Sequence, residues 1–191
     1  MSDLIPLTGE PLALDLVNTH PTAGDLLATP ADLRAWLRLE AERFDEAREP
    51  AAGDLGPGDL AAVHDVRAHI SRALGRLLRG DQPAADDVEA LNQAQRAAPA
   101  ILELVRNGGA VTATRHRTGT PGARLAAWLA EAGAEFLAGP SVAEVRQCAA
   151  DDCVMLFLPS HPRRRWCSAA RCGNRVRVAR HYQRHKATGS A

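Results

Sequence analysis

Residues 167–186 read CSAARCGNRVRVARHYQRHK. Cys167 and Cys172 frame four residues, and an arginine-rich run follows at once. Upstream, Cys148 and Cys153 are separated by the same interval, and thirteen residues lie between the two pairs. These four are all the cysteines in a chain of 191 residues. Two equally spaced pairs so close together read as two chelating halves of one tetrahedral site. Four thiolates satisfy Zn2+ and leave no position open, so the expectation is one structural zinc ion per chain. Free thiols, disulfides and a redox-switched zinc site are the competing readings. The N-terminal MSDLIPLTGEP lacks the basic start and apolar run of an export signal, which counts against disulfides.

The residues between the pairs predict how the site is built. VMLFLP (154–159) reads as a strand and HPRRRW (161–166) as a turn and return strand, with a helix beginning near Cys172. Knuckle, hairpin and helix in that order make a small treble-clef or zinc-ribbon-like finger. A Zn(Cys)4 centre carries net charge −2, and Arg163, Arg164, Arg165 and Arg171 stand close enough in sequence to offset it.

At 100° per residue, Arg180, His181, Arg184 and His185 fall on the same side of the following helix as Arg177. Val176, Val178, Ala179 and Tyr182 fall on the other and would pack on the finger. A one-sided basic helix suits phosphate, so Arg177, Arg180, His181 and Arg184, with Arg163, Arg164 and Arg165, are the candidate DNA contacts. The plain alternative is a solvated charged face. Only one of the 23 basic residues is lysine, so arginine is this chain's general-purpose cation.

Formal net charge is zero, but it is divided unevenly. Residues 141–191 hold ten basic and three acidic side chains, and residues 1–140 hold thirteen and twenty. A change of character near residue 140, after Gly139-Pro140-Ser141, divides the chain into a body of 1–140 and a finger of 141–191.

The body reads as mostly helical. Residues 12–18 (LALDLVN) are a short helix or a buried strand. A helix is expected over 31–47, with Thr29 as N-cap and Pro30 at its first position. The clearest helix, 59–80, carries a stripe of Leu60, Val63, Val66, Ile70, Leu74, Leu77 and Leu78, and stops at Gly80. Helices over 86–98 and 120–139 follow the same logic. Between them, residues 101–117 change to strand period around Asn107-Gly108, which predicts a β-hairpin. The fold class expected is therefore α+β, mostly α. No apolar run approaches the ~18 residues of a membrane span, so a cytoplasmic protein without a membrane partner is expected.

Cys172-Gly173-Asn174-Arg175, with Trp166-Cys167-Ser168 upstream, resembles the signature of the CGNR zinc-finger family. Asp15-Leu16-Val17-Asn18-Thr19 resembles the opening motif of the ABATE domain, which precedes that finger in bacterial proteins. Trp36 and Leu91-Asn92 fit its layout. The resemblance implies a bacterial stress-linked transcriptional regulator whose four cysteines bind zinc. It assigns Gly173 to a close backbone approach, and Asn174 and Arg175 to capping, bracing or phosphate contact. Arg175 lies toward the apolar side of the helix, which favours bracing.

No phosphate-binding loop, dinucleotide fingerprint or nucleophile elbow occurs, and His64 and His69 are wrongly spaced for a metalloprotease helix. No catalytic residue and no enzymatic activity are expected. Two readings of Asn18 stay open: a satisfied polar group at a helix end, or part of a small-molecule inducer pocket. The body would sense such a ligand or form a homodimer. The rival to DNA binding is a finger that docks a protein or senses redox state.

Overall fold

The computed structural model describes residues 8–179. Six α-helices come first: α1 (Leu12–Val17), α2 (Pro30–Glu40), α3 (Arg48–Ala52), α4 (Pro57–Leu77), α5 (Ala85–Ala97) and α6 (Pro121–Ala138). A hairpin of β1 (Ile101–Asn107) and β2 (Ala110–His116) separates α5 from α6. The finger follows, with a two-residue ladder between β3 (Arg146–Gln147) and β4 (Leu156–Phe157). A π-helical turn over Ala169–Gly173 then leads into α7, helical over 174–179. The fold is mostly α with a hairpin, as the sequence implies.

Local chemistry explains where the helices start. Thr29 accepts from the Asp32 amide while the Asp32 carboxylate takes the Thr29 amide, a reciprocal cap with Pro30 just inside. Asp59 caps the Gly56 amide at the start of α4. Thr120 accepts from the Ala123 amide ahead of α6.

Helix α6 is the centre of the body and packs on α1, α4 and α5. Leu125, Trp128, Leu129 and Phe136 are buried along it. Two glycines bring it close to α4. A Cβ on Gly133 would lie 2.6 Å from Ile70 Cδ1, and one on Gly122 would lie 2.9 Å from Asp59 Cα. Eleven residues apart, the two glycines stand about three turns apart on one face.

Three elements differ from expectation. The helix over 31–47 stops at Glu40, and a 3-10 turn (Asp45–Ala47) and α3 continue separately. Phe44 turns extended there and sets its ring edge-on to Trp128, with centroids 6.0 Å apart. The hairpin turn is Gly108-Gly109, one residue later than Asn107-Gly108, because Asn107 pairs with Ala110. Gly108 takes the positive φ (61°) that the turn requires. Lastly, 161–166 is not a return strand; β4 pairs instead with β3, ahead of Cys148.

No helix among the described residues is long and apolar enough to cross a membrane.

Candidate metal centre

The ladder between β3 and β4 carries Cys148 out of its end, where the Cys148 amide donates to Met155 O. A tight turn then returns the chain, with the Cys153 amide on Ala150 O. The second pair is set by the π-helical turn. Ser168 accepts from the Arg171 amide, and the Gly173 amide reaches back to Ser168 O. Each pair is thus folded locally, and the Ala149 amide on Arg165 O ties the two halves together.

The four Sγ atoms all lie within 4.8 Å of one another. Cys153 to Cys167 is 3.8 Å and Cys167 to Cys172 is 3.6 Å. Zinc–sulfur bonds of about 2.3 Å in a regular tetrahedron put the sulfurs about 3.8 Å apart. A disulfide needs about 2.05 Å, so the thiols are unbridged. Burial pushes the Cys153 thiol up to about 11 and Cys167 further still, each reinforced by neighbouring cysteines. Burial also opposes ionisation of Cys148, but hydrogen bonds from the amides of Cys167 and Ala150, with those from the Cys153 and Cys167 thiols, outweigh it and its pKa falls. Four thiolate sulfurs within 4.8 Å of one another repel strongly unless a cation lies among them. The donor set therefore fits a tetrahedral thiophilic metal, and zinc best.

Arg175 places a cation against the sulfurs. Its guanidinium bridges the Asp152 carboxylate at 2.6 Å and Cys172 Sγ at 3.7 Å. That geometry braces the turn and offsets thiolate charge. Asn174 is exposed and accepts from Arg177. Gly173 does not meet the expectation of a forced close approach. A Cβ there would make an ordinary 3.5 Å contact with the Trp166 ring. Val178, expected on the packing side, is 52% exposed. It stands about 200° from Val176, and Val176 is the one that packs on the cysteine cluster.

The three consecutive arginines have different fates. Arg163 and Arg165 are exposed, Arg165 lying over the Trp166 ring at 5.8 Å. Arg164 turns inward, which overturns its assignment as a phosphate contact. It donates to Leu158 O at 2.9 Å, Trp166 O at 3.2 Å, Cys167 O at 2.8 Å and the Glu10 carboxylate at 2.7 Å. It also covers the face of Phe157 at 4.4 Å. The loop from 158 to 167 is wrapped around one guanidinium, and Pro162 in it has no amide to offer a ladder. Arg177 is exposed; Arg180, His181 and Arg184 lie outside the described residues.

Glu10 continues the connection into the body. Its other oxygen takes the Leu158 amide at 2.9 Å. Beside it, Asn18 caps α1 and clamps Leu156, donating to its carbonyl and accepting from its amide, both at 2.8 Å. The side-chain amide imitates a strand neighbour. Asn18 also borders a cleft with His20, His64 and Met155, and its bonds to Leu156 give its side-chain amide a structural role there. Val145 and Leu156 belong to the body's apolar core rather than to the finger's own.

These contacts give the motif at 15–19 a physical meaning. Asp15 accepts the Gly9 and Glu10 amides and the Arg43 guanidinium, so it positions Glu10. Asn18 holds Leu156. Thr19 donates to Leu16 O and accepts from Arg67. Glu10, Leu156 and Arg164 were not legible as a set, because Glu10 and Arg164 are 154 positions apart.

Residues 10–140 match the ABATE family, described as "Putative stress-induced transcription regulator". The chain belongs to the ABATE family. Residues 144–185 of this ABATE protein match the CGNR zinc finger, the segment that carries all four cysteines. No curated protein matches the chain.

The network beneath the ABATE motif contains two fully buried carboxylates, Asp15 and Glu40, that share Arg43. Burial raises Asp15 from 3.8 to about 6. Burial, and then the Asp15 charge, raise Glu40 from 4.5 to about 7. Raised carboxyl pKa values favour the folded state fully below the unfolded values near 4, and this support is lost progressively until pH has risen through 6 to 7. Glu40 Oε1 also has no hydrogen-bond partner. Glu40→Gln is therefore expected to stabilise the protein by about 1–3 kcal/mol at about pH 8 and hardly at all at about pH 4. Thermal melts at both pH values check this. An equal shift at both would refute the assignment.

Proposed function

We propose that this protein is a transcriptional regulator that binds DNA through its C-terminal finger. In this reading one zinc ion per chain is held by Cys148, Cys153, Cys167 and Cys172 and is structural, since four thiolates leave no position for a substrate. Its site of action would be the cytoplasm, where thiols stay reduced. The helical body carries the finger and sets its orientation through Asn18, Glu10 and Arg164, so a signal received by the body has a direct route to it.

The observation that supports this most is the state of the finger's arginines. Arg163, Arg165 and Arg177 are exposed and have no carboxylate partner among the described residues. Arg164 and Arg175, which do have carboxylate partners, build the module. Cations left unpaired on a rigid metal module suit phosphate.

Titration of labelled duplex DNA at several salt concentrations tests the reading. Wild type should show log K falling linearly with log salt. Replacing Arg163, Arg165 and Arg177 by Gln should weaken binding at least about tenfold and flatten the slope by about 2 to 3, near 0.9 per lost phosphate contact. Binding that ignores salt, or that the triple variant retains unchanged, would leave the finger to a protein partner.

A further inference from the structure

The β1–β2 hairpin is exposed at every one of its positions. It carries Ile101, Leu102, Leu104, Val105 and Val111, five of the nine large apolar side chains exposed on the described chain. A lone two-stranded ribbon is marginal in water, and neither strand packs extensively on another element. The register places Leu102, Leu104, Val111 and Ala113 on one face together with Arg106 and Arg115. That face is apolar and basic.

Beside the base of the hairpin lies a groove of about 510 Å³. Its apolar lining includes Leu12, Phe44, Trp128 and Phe136, and Glu46, Glu131 and Glu135 also border it. Arg115 reaches into it from the hairpin and pairs with Glu131 at 2.9 Å. Glu135 at the groove and Arg106 near the hairpin tip are both exposed and have no ion-pair partner among the described residues. Groove and hairpin are thus complementary in charge and apolarity. Lying side by side, they suit a twofold exchange in which each hairpin crosses to the other copy's groove.

We propose that the hairpin is a dimerisation arm, and that its Leu104-bearing face seats in the groove of a second copy of this chain with Arg106 against Glu135. Size favours a second copy over an unrelated partner. Seven residues at 3.4 Å and two strands about 4.8 Å apart give a face of roughly 230 Å². One docked arm would bury on the order of 500 Å² in total, which is the scale of a crystal contact. Two exchanged arms reach on the order of 1,000 Å², the low end of a specific interface, so the dimer should be reversible. This goes beyond DNA binding and does not depend on it.

Sedimentation of the full zinc-loaded chain over a concentration series tests the proposal. Wild type should show a monomer–dimer equilibrium in the micromolar range. Leu104→Asp should raise the dissociation constant at least about tenfold without changing the circular dichroism, since Leu104 is 75% exposed. Arg106→Glu and Glu135→Arg should each weaken the dimer, and the double variant should recover it. A wild type that stays monomeric throughout, as it would if another segment of the chain covered the hairpin, overturns the proposal. So does a dimer indifferent to Leu104→Asp, or charge reversals that fail to compensate.

Discussion

Stripping the metal with a strong chelator is expected to unfold the finger over 144–173 and leave α4 and α6 folded. The finger's own apolar cluster is Cys148, Ala150, Phe157 and Cys172, with Cys153, Trp166, Cys167 and Val176 against it. Among the described residues Phe157 is its only large, fully buried side chain. Burying one such ring is worth about 1.5–3 kcal/mol, whereas structural zinc sites supply about 10–16 kcal/mol at neutral pH. On these figures a bound metal would decide whether the segment is ordered. The body should survive, because its core runs through α1, α2, α4 and α6 independently of the sulfurs. It should nonetheless melt lower, since Leu156 and Val145 leave that core and Asn18 loses both its partners. Amide hydrogen exchange reads this directly. Protection at Cys148, Ala149 and Gly173 should vanish on chelation, while protection in α4 and α6 remains. Unchanged protection at Cys148 after complete metal removal would mean that the finger holds itself together.

Replacing Arg164 with Ala should cost about 2–4 kcal/mol in chemical denaturation even with metal bound. Three backbone carbonyls, the Glu10 carboxylate and the Phe157 ring all rest on this one guanidinium. Lysine should restore little. Its ammonium has the charge but not the planar fork that reaches several acceptors at once. Arg163→Ala, one position earlier and exposed, should be nearly neutral. Equal behaviour of Arg164→Lys and wild type would show that charge alone suffices there. Because Arg164 also binds Glu10, its loss should free the finger from the body, and exchange at Leu158, whose amide also binds Glu10, should report it.

What could be read from the sequence follows from distance along the chain. The helix start at Thr29-Pro30 and the stripe of α4 from Leu60 to Leu74 are encoded within a few turns and appear where expected, but Leu78, expected to continue the stripe, is 41% exposed at the helix end. The cysteine pairs are also local, and metal geometry alone requires the two halves to meet. The exact hairpin turn was ambiguous because Asn107-Gly108 and Gly108-Gly109 both suit a positive φ, and only strand register chooses. The inward turn of Arg164 was not legible at all. Within Arg163-Arg164-Arg165 nothing distinguishes the middle residue, and its acceptors include a carboxylate from the other end of the chain. Asn18 was noticed for its polarity after an apolar segment, but its partner is 138 residues away. A polar group at a helix end looks the same in sequence whether it meets a ligand or a backbone.

The most direct test is metal and thiol content of the purified full chain after mild chelator washing. The expected result is one zinc ion per chain with all four thiols protected from alkylation until the metal is removed. No metal and four reactive thiols in protein that remains folded would contradict the tetrathiolate centre, and with it the finger on which the proposed regulator depends.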